Sequence, residues 1–193
     1  MTETSRSNRF HVAIFGRRNA GKSSLVNSIA GQAVSIVSDV AGTTTDTVWK
    51  NIELPGVGAA VIADTAGFDD TGVLGSMRVD AARKVLARAD VAILLLGEFD
   101  GNIAPEKEWL AQMHELQLPV IVVAGKCDKE GSAEHIAAWQ DALKHDVISF
   151  SAVTGEGRAV LLERIAQCCR QDDNLDDITH SLVKPGNIVV LVM

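Results

Sequence analysis

Residues 16–23, GRRNAGKS, have the composition and spacing of a phosphate-binding loop, G-x-x-x-x-G-K-S. The loop follows the apolar, strand-like run 10–15 and precedes a stretch with helical spacing, which is the context that the motif requires. Its glycines let backbone N–H groups turn toward phosphates, and the following helix adds the positive end of its dipole. Lys22 is placed to reach the outer phosphates of a nucleoside triphosphate, and the Ser23 hydroxyl to ligate Mg²⁺. A merely flexible glycine turn is disfavoured because the Lys-Ser pair and both flanks fit.

A second phosphate-site motif, residues 64–67 (DTAG), directly follows a predicted strand. Asp64 is expected to hold Mg²⁺ through water, and the Gly67 amide to meet the γ-phosphate. Between the two motifs lies the polar segment 42–46, GTTTD, where Thr44 is expected to complete the metal shell when triphosphate is bound. A threonine-rich loop alone is usually a solvated turn, but its place between two phosphate motifs favours the metal role. The residues expected to act in catalysis are Lys22, Thr44 and Gly67, and the expected Mg²⁺ ligands are Ser23, Thr44 and Asp64.

The choice of base is expected to depend on residues 125–128, GKCD, which follow another apolar run. The Asp128 carboxylate can accept hydrogen bonds from guanine N1–H and the 2-amino group, donors that adenine does not present. The aliphatic stem of Lys126 is placed to cover the base plane. The complete set of residues expected to contact the nucleotide is Asn19, Ala20, Gly21, Lys22, Ser23, Ser24, Asp64, Gly67, Lys126, Asp128, Ser151 and Ala152.

These motifs lie at the ends of short apolar runs that alternate with longer segments of helical spacing. Such alternation is typical of a parallel sheet covered by helices on both faces. The predicted fold class is therefore α/β, with a mostly parallel six-stranded sheet flanked by about five helices. Residues 49–54 are expected to form an edge strand in a hairpin with 59–63. The remaining predicted strands lie in 12–15, 91–96, 120–123 and 147–150, and the predicted helices in 25–29, 79–86, 109–116, 136–143 and 160–165.

The domain organisation follows from length and from the tail of the chain. A chain of 193 residues with 47% hydrophobic content can bury one good-sized α/β core. Residues 1–9 are polar and predict a flexible tail, and 10–170 hold all the motifs. Residues 171–193 begin as an acidic linker and end in the strand-like run 188–192, which has no partner in the predicted sheet. We therefore expect 171–193 to lead into a further domain and the 193 residues to be a fragment.

Charge and cysteine content narrow the class of protein. The net charge is −7 and the pI is near 5.2, so we expect no bulk attraction to nucleic acid or to anionic membranes. No apolar run approaches the ~20 residues needed to span a bilayer. The three cysteines include the adjacent pair Cys168-Cys169 and form no C-x-x-C spacing. An odd number of cysteines and no signal-like start favour a reducing cytoplasm.

The ordered set GRRNAGKS, GTTTD, DTAG, GKCD and Ser151-Ala152 resembles the small GTP-binding domains of the group that includes the Era, EngA and TrmE GTPases. The resemblance covers residues ~10–170 and implies a P-loop NTPase with a Ras-like G domain that hydrolyses GTP to GDP and phosphate with Mg²⁺. The sequence is similar in more detail to HydF, the GTPase that acts in [FeFe]-hydrogenase maturation. Relatives of the Era and TrmE type usually have Arg where this chain has Thr45, which favours HydF.

The resemblance to HydF implies partners beyond the nucleotide. They are a dimerisation domain and an iron–sulfur domain of the same protein, together with hydrogenase maturation enzymes and apo-hydrogenase. We expect no iron–sulfur cluster on these 193 residues, because such clusters usually need about four placed thiolates. Only Cys127 and the cramped Cys168-Cys169 pair are available.

Two positions depart from the family pattern. Gly125 replaces the Asn that usually begins the base-reading motif, and losing its bonds is expected to weaken guanine binding by ~1–3 kcal/mol. Phe68 stands where Ras-like proteins place a water-orienting glutamine, so slow intrinsic hydrolysis is expected. In relatives, an Asn at the position of Asn19 helps bind K⁺ beside the phosphates, so this chain is expected to be activated by K⁺. The alternative is that Asn19 only satisfies a loop amide.

Two other functions stay open at this point. One is an Era- or TrmE-like GTPase that serves ribosome assembly or tRNA modification, although no basic patch accompanies the motifs. The other is a module that binds GTP with little turnover, which Gly125 and Phe68 would permit. A K⁺-dependent assay of phosphate release separates this last possibility from a GTPase switch.

Overall fold

The computed structural model describes residues 9–30, 48–64 and 83–182. The strands are β1 (Phe10–Gly16), β2 (Val48–Leu54), β3 (Gly58–Asp64), β4 (Val91–Leu96), β5 (Val120–Ala124) and β6 (Val147–Ser149). The helices with complete bounds are α1 (Lys22–Ala30), α2 (Ala104–Glu115), α3 (Ser132–Leu143) and α4 (Arg158–Leu182), and residues 83–86 are also helical.

The strands form one six-stranded sheet in the order β2-β3-β1-β4-β5-β6. The β2–β3 pair is antiparallel, and β1 pairs in parallel with β3 and with β4. The pairs β4–β5 and β5–β6 are parallel as well. The predicted α/β class, the mostly parallel sheet and the edge hairpin are therefore confirmed.

Helices cover both faces of the sheet. Successive residues of a strand point to opposite sides, so each strand contributes to the core on both faces. On one face, Val12 and Ile14 of β1 belong to a buried cluster with residues of α1 and α4. On the other face, Ala13 and Phe15 belong to a cluster with residues of α2 and α3. The helical members of the first cluster include Leu25, Ile29, Leu161 and Ile165, and those of the second include Trp109, Met113, Trp139 and Leu143. Because both faces are covered, a ligand can reach the sheet only at the loops that follow the ends of the strands.

The carboxyl ends of β1, β3, β4, β5 and β6 share one edge of the sheet, since these strands run parallel. Ligands of open α/β sheets bind at this edge. Gly16, the last residue of β1, packs so closely on β4 that an added Cβ would clash with the Leu95 carbonyl oxygen. The first glycine of the phosphate motif is therefore required by the packing of the sheet as well as by the turn that follows.

The structure adds local detail at the two ends of the predicted domain. Arg9, assigned to the flexible tail, donates from Nη1 to Asn51 Oδ1 of β2 at 2.8 Å. The acidic segment 172–177, interpreted as a linker, has helical backbone because α4 continues to Leu182. The change of domain near residue 170 stays a prediction, and the predicted terminal strand lies outside the described residues. Within the described ranges, no helix is long and apolar enough to cross a membrane.

Candidate functional site

The phosphate loop is wrapped around the ammonium group of Lys22. This side chain is buried, and Nζ donates to the carbonyl oxygens of Gly16 and Arg17, both at 2.8 Å. The Arg17 carbonyl also accepts from the Ala20 N–H at 3.3 Å. Asn19 and Gly21 have positive φ angles of 60° and 104°, which curl the loop back toward α1. A positive charge therefore lies at the centre of a ring of backbone groups, in the place where the motif predicts the phosphates.

The beginning of α1 adds backbone N–H donors at the same place. The first N–H groups of a helix have no partner within the helix and carry the positive end of its dipole. Lys22 begins α1, and the side chains of Ser23 and Ser24 in its first turn are exposed. The predicted contacts of residues 19–24 with a nucleotide are thus brought together on one loop.

The predicted Mg²⁺ ligands are brought together only in part. Asp64 ends β3 and is paired in register with Ile14 of β1, two residues before the phosphate loop. Ser23 begins the helix on the far side of that loop. A hydroxyl and a carboxylate are oxygen donors that suit Mg²⁺. Thr44 and Gly67, together with Phe68, lie outside the described residues. In the described part of the chain, no three His, Cys, Asp or Glu side chains form a group that could hold a metal ion.

The base-reading loop is held in place by Ser151. Its hydroxyl donates to Asp128 Oδ1 at 2.5 Å and accepts from the N–H groups of Val153 and Thr154 at 3.2 and 3.1 Å. The hydrogen bond from Ser151 lowers the pKa of Asp128 below its usual value, and a backbone hydrogen bond adds to this. Ser151 is buried, whereas Asp128 is exposed. Ser151 was predicted as a nucleotide contact, and in the structure its hydroxyl holds the carboxylate that is predicted to read the base.

Lys126 connects the base-reading loop to the phosphate loop. Its φ angle is 62°, and Nζ donates to the Asn19 carbonyl oxygen at 3.0 Å. The stem of Lys126 therefore spans the gap between the two loops, where the sequence predicts that it covers a base. Ala152 is exposed in the loop after β6, beside Ser151. The contacts of Lys126 with Asn19 and of Ser151 with Asp128 thus bring predicted residues of both loops together at the carboxyl ends of the strands.

Gly125 brings the two loops into close contact. Its N–H donates to the Leu96 carbonyl oxygen at 3.0 Å. A Cβ at this position would lie 3.2 Å from the Ala20 carbonyl oxygen, tighter than an ordinary contact. The usual Asn would therefore need the phosphate loop to move by a few tenths of an ångström. Without a side chain at this position, the two loops can lie as close together as they do here.

One contact of the phosphate loop has no signal in the sequence. Arg17, to which the motif gives no role, forms ion pairs with Glu106 of α2 and with Asp100. These partners are separated from Arg17 by 89 and 83 residues. Neither periodicity nor motif spacing connects them, so only the fold shows the contact.

A lysine-centred phosphate loop at a helix start, oxygen donors beside it and an exposed carboxylate held by Ser151, on a mostly parallel sheet, define a P-loop GTP-binding domain. Residues 11–126 match the family described as 50S ribosome-binding GTPase. The chain belongs to this family.

Curated relatives share this domain. The tRNA modification GTPase MnmE of Laribacter hongkongensis is 39% identical over 160 residues, which cover 80% of this chain and 34% of the relative. MnmE of Chromobacterium violaceum has the same identity and coverage. The chain thus spans about a third of the length of these relatives.

Solved structures agree with the family. Aquifex aeolicus Era bound to GDP and AlF4⁻ is 32% identical with a TM-score of 0.65, and the match covers 81% of this chain and 56% of Era. The G domain of the T. maritima FeoB iron transporter is 25% identical with a TM-score of 0.60, covering 83% of this chain and 98% of that domain. The predicted GTPase domain of the Era and TrmE type is confirmed, and membership of the family implies binding of GTP, GDP and Mg²⁺. The finer resemblance to HydF is not shown by these relatives.

Proposed function

We propose that this chain is a Mg²⁺-dependent GTPase switch whose nucleotide state changes its contacts with other domains or partners. The observation that carries the proposal is the pairing of two preformed loops. Lys22 is buried at the centre of one, and Asp128 is oriented by Ser151 in the other. Lys126 joins the two loops through the Asn19 carbonyl. GTP bound between the two loops would therefore contact both of them.

Two physiological settings are supported by different observations. Similarity to relatives named tRNA modification GTPase MnmE favours tRNA modification. Thr45, where Era and TrmE relatives usually have Arg, together with the GRRNAGKS and GTTTD segments, favours HydF-type maturation of [FeFe]-hydrogenase. The similarity to MnmE is confined to about a third of that protein, and a shared nucleotide domain does not fix the process it serves. The net charge of −7 gives no electrostatic attraction to RNA.

Deletion of the gene in its natural host separates the two settings. The modified nucleosides of total tRNA and the hydrogen-producing activity of the cells are measured in the deletion strain and in a strain complemented with the intact gene. Loss of hydrogenase activity with unchanged tRNA supports the HydF-type function. Loss of a tRNA modification with unchanged hydrogenase supports the MnmE-type function. A deletion strain that is normal in both measurements contradicts both.

The same proposal includes activation by K⁺ at Asn19. The Asn19 side chain is exposed on the phosphate loop, and its carbonyl oxygen is already engaged by Lys126. A cation beside the phosphates would neutralise charge that develops in the transition state, a role worth up to ~10³–10⁵ in rate when an arginine supplies it. We expect GTP hydrolysis to be at least about tenfold faster in K⁺ than in Na⁺. Asn19→Ala should remove most of this difference.

Phosphate release is measured at saturating GTP in the two salts at equal ionic strength. Asn27→Ala, an exposed asparagine on α1, is the matched control and should keep the full response to K⁺. Equal turnover of the parent chain in K⁺ and Na⁺ would contradict K⁺ activation. It would leave Asn19 with a purely structural role in the loop.

A further inference from the structure

The side chain of Arg17 anchors the phosphate loop to α2. Its guanidinium forms a two-point contact with Glu106, from Nε to Oε1 at 2.5 Å and from Nη2 to Oε2 at 2.7 Å. Nη1 donates to Asp100 Oδ2 at 2.6 Å, and Nη2 also contacts the Asn102 carbonyl oxygen. The planar fork of an arginine suits such paired contacts, whereas a lysine presents a single ammonium.

The acceptors are themselves held in place. Asp100 Oδ1 accepts from the Asn102 N–H at 2.9 Å, and Asn102 Oδ1 accepts from the Ala104 N–H at 3.2 Å. Glu106 lies in the first turn of α2, where the helix dipole favours a negative charge. Only 1% of Glu106 is exposed. A short run of side-chain-to-backbone bonds and a buried carboxylate therefore present fixed partners to Arg17.

The backbone of Arg17 faces the opposite direction, toward the phosphate site. Its carbonyl oxygen accepts from Lys22 Nζ at 2.8 Å and from the Ala20 N–H at 3.3 Å. One residue thus connects α2, through its side chain, to the lysine and the turn that define the loop, through its carbonyl. A shift of the Arg17 side chain would move an acceptor of the Lys22 ammonium.

The positive charge of Arg17 is committed to these partners. Glu106 and Asp100 bring two negative charges to one guanidinium, and the hydrogen bond to Glu106 is the main cause that raises the pKa of Arg17. A group that is paired twice with carboxylates has little charge to offer a phosphate. This geometry separates Arg17 from the arginines that contact transferring phosphates in other GTPases.

We infer that Arg17 and Glu106 are a positioning pair, which sets the phosphate loop for tight binding of guanine nucleotide without touching the nucleotide. The inference deepens the GTPase function and depends on it. The rival explanation is an ion pair that stabilises the whole fold and has no particular effect on the loop. Removing the charge of Glu106 separates these explanations. A positioning pair would lose retention of the nucleotide, whereas a purely stabilising ion pair would lose thermal stability alone.

The test uses Glu106→Gln, which keeps the shape of the side chain and one acceptor oxygen, and Arg17→Lys, which keeps the charge but not the two-point contact. The release rate of a fluorescent GDP is measured after a chase with excess GDP. We expect release to be at least about tenfold faster in both variants. The KM for GTP should rise, with kcat at saturation within about threefold of the parent value. Release of inosine diphosphate should accelerate by the same factor as release of GDP, because the base-reading loop is untouched.

Asp141→Asn is the matched control, since it removes one carboxylate from an exposed ion pair with Lys144, and its release rate should equal that of the parent. Asp100→Asn covers the case in which Glu106→Gln does not fold, because the Asp100 side chain is 55% exposed and its loss leaves Arg17 still paired with Glu106. Asp100→Asn should speed release about two- to threefold. Parent-like release in folded Glu106→Gln, or in Asp100→Asn where Glu106→Gln does not fold, would overturn the inference, even if the unfolding temperature falls. A parent chain that does not bind GDP would instead contradict the GTPase function.

Discussion

Replacing Lys22 with alanine is expected to weaken binding of GDP and of a non-hydrolysable GTP analogue by at least about a hundredfold. The ammonium is buried at the centre of the phosphate loop, where charge-assisted hydrogen bonds to phosphate oxygens are strongest. The substitution also removes the donor that joins the Gly16 and Arg17 carbonyl oxygens, so the loop loses its shape together with its charge. Calorimetric titration in Mg²⁺ measures the affinities directly.

Lys144→Ala is the control for this substitution, because Lys144 is an exposed lysine paired only with the exposed Asp141 among its described ion pairs. It should bind nucleotide like the parent chain. Circular dichroism before titration shows whether each variant is folded. A folded Lys22→Ala chain with the affinity of the parent would contradict the assignment of residues 16–23 as the phosphate site.

Replacing Asp128 with asparagine is expected to reverse the choice of base. The carboxylate accepts from two donors on guanine, and an amide in its place turns one acceptor into a donor that faces N1–H. Affinity for GDP should fall at least about a hundredfold, while affinity for xanthosine diphosphate should rise, because its extra carbonyl accepts from the new amide. The Ser151 hydroxyl can still donate to the amide oxygen, so the loop keeps its support.

Competition between the two diphosphates for a fluorescent nucleotide measures this change. Asp141→Asn makes the same chemical substitution at an exposed position and should leave the preference for guanine unchanged. An Asp128→Asn chain that still prefers GDP would contradict the assignment of this carboxylate as the base reader.

The pKa of Asp128 also fixes how base recognition depends on pH. The pKa of Asp128 is lowered in the folded chain, mainly by the hydrogen bond from Ser151. The carboxylate therefore stays ionised at pH values at which an ordinary aspartate is already protonated. Any stability contributed by this bond is therefore present above the unfolded pKa and is lost as pH falls through the lowered, folded value. The preference for guanine over adenine should therefore be constant from neutral pH down to the lowered pKa of Asp128.

The fold was predictable from the sequence because its determinants are local. Short apolar runs gave strands, and helical spacing between them gave the crossovers of a parallel sheet. The extent of α4 was not predictable in the same way. Asp and Asn have poor helix propensity and are frequent in 172–177, yet α4 continues through them to Leu182. The helix propensity of a few residues is a weak guide where a helix has already formed in the residues that precede them.

The site was predictable where its chemistry lies in consecutive residues. Residues 16–23 and 125–128 are such segments, and the structure brings them to one edge of the sheet. Contacts between distant segments left no comparable signal. Ser151 donates to Asp128 across 23 residues of sequence, and Arg17 is paired with Glu106 across 89. These contacts become visible only when the strands place the loops side by side. The contacts that support the candidate site thus needed the structure, whereas the two segments predicted to bind phosphate and base did not.

We propose that this chain binds and selects guanine nucleotide through Lys22 and Asp128. It is tested most directly by calorimetric titration of the intact chain with GDP and with ADP, in Mg²⁺ and K⁺. We expect saturable binding of one GDP and an affinity for ADP at least about a hundredfold weaker, because adenine lacks the donors from which the carboxylate of Asp128 would accept hydrogen bonds. Equal affinity for GDP and ADP, or no binding of GDP by the folded chain, would contradict it.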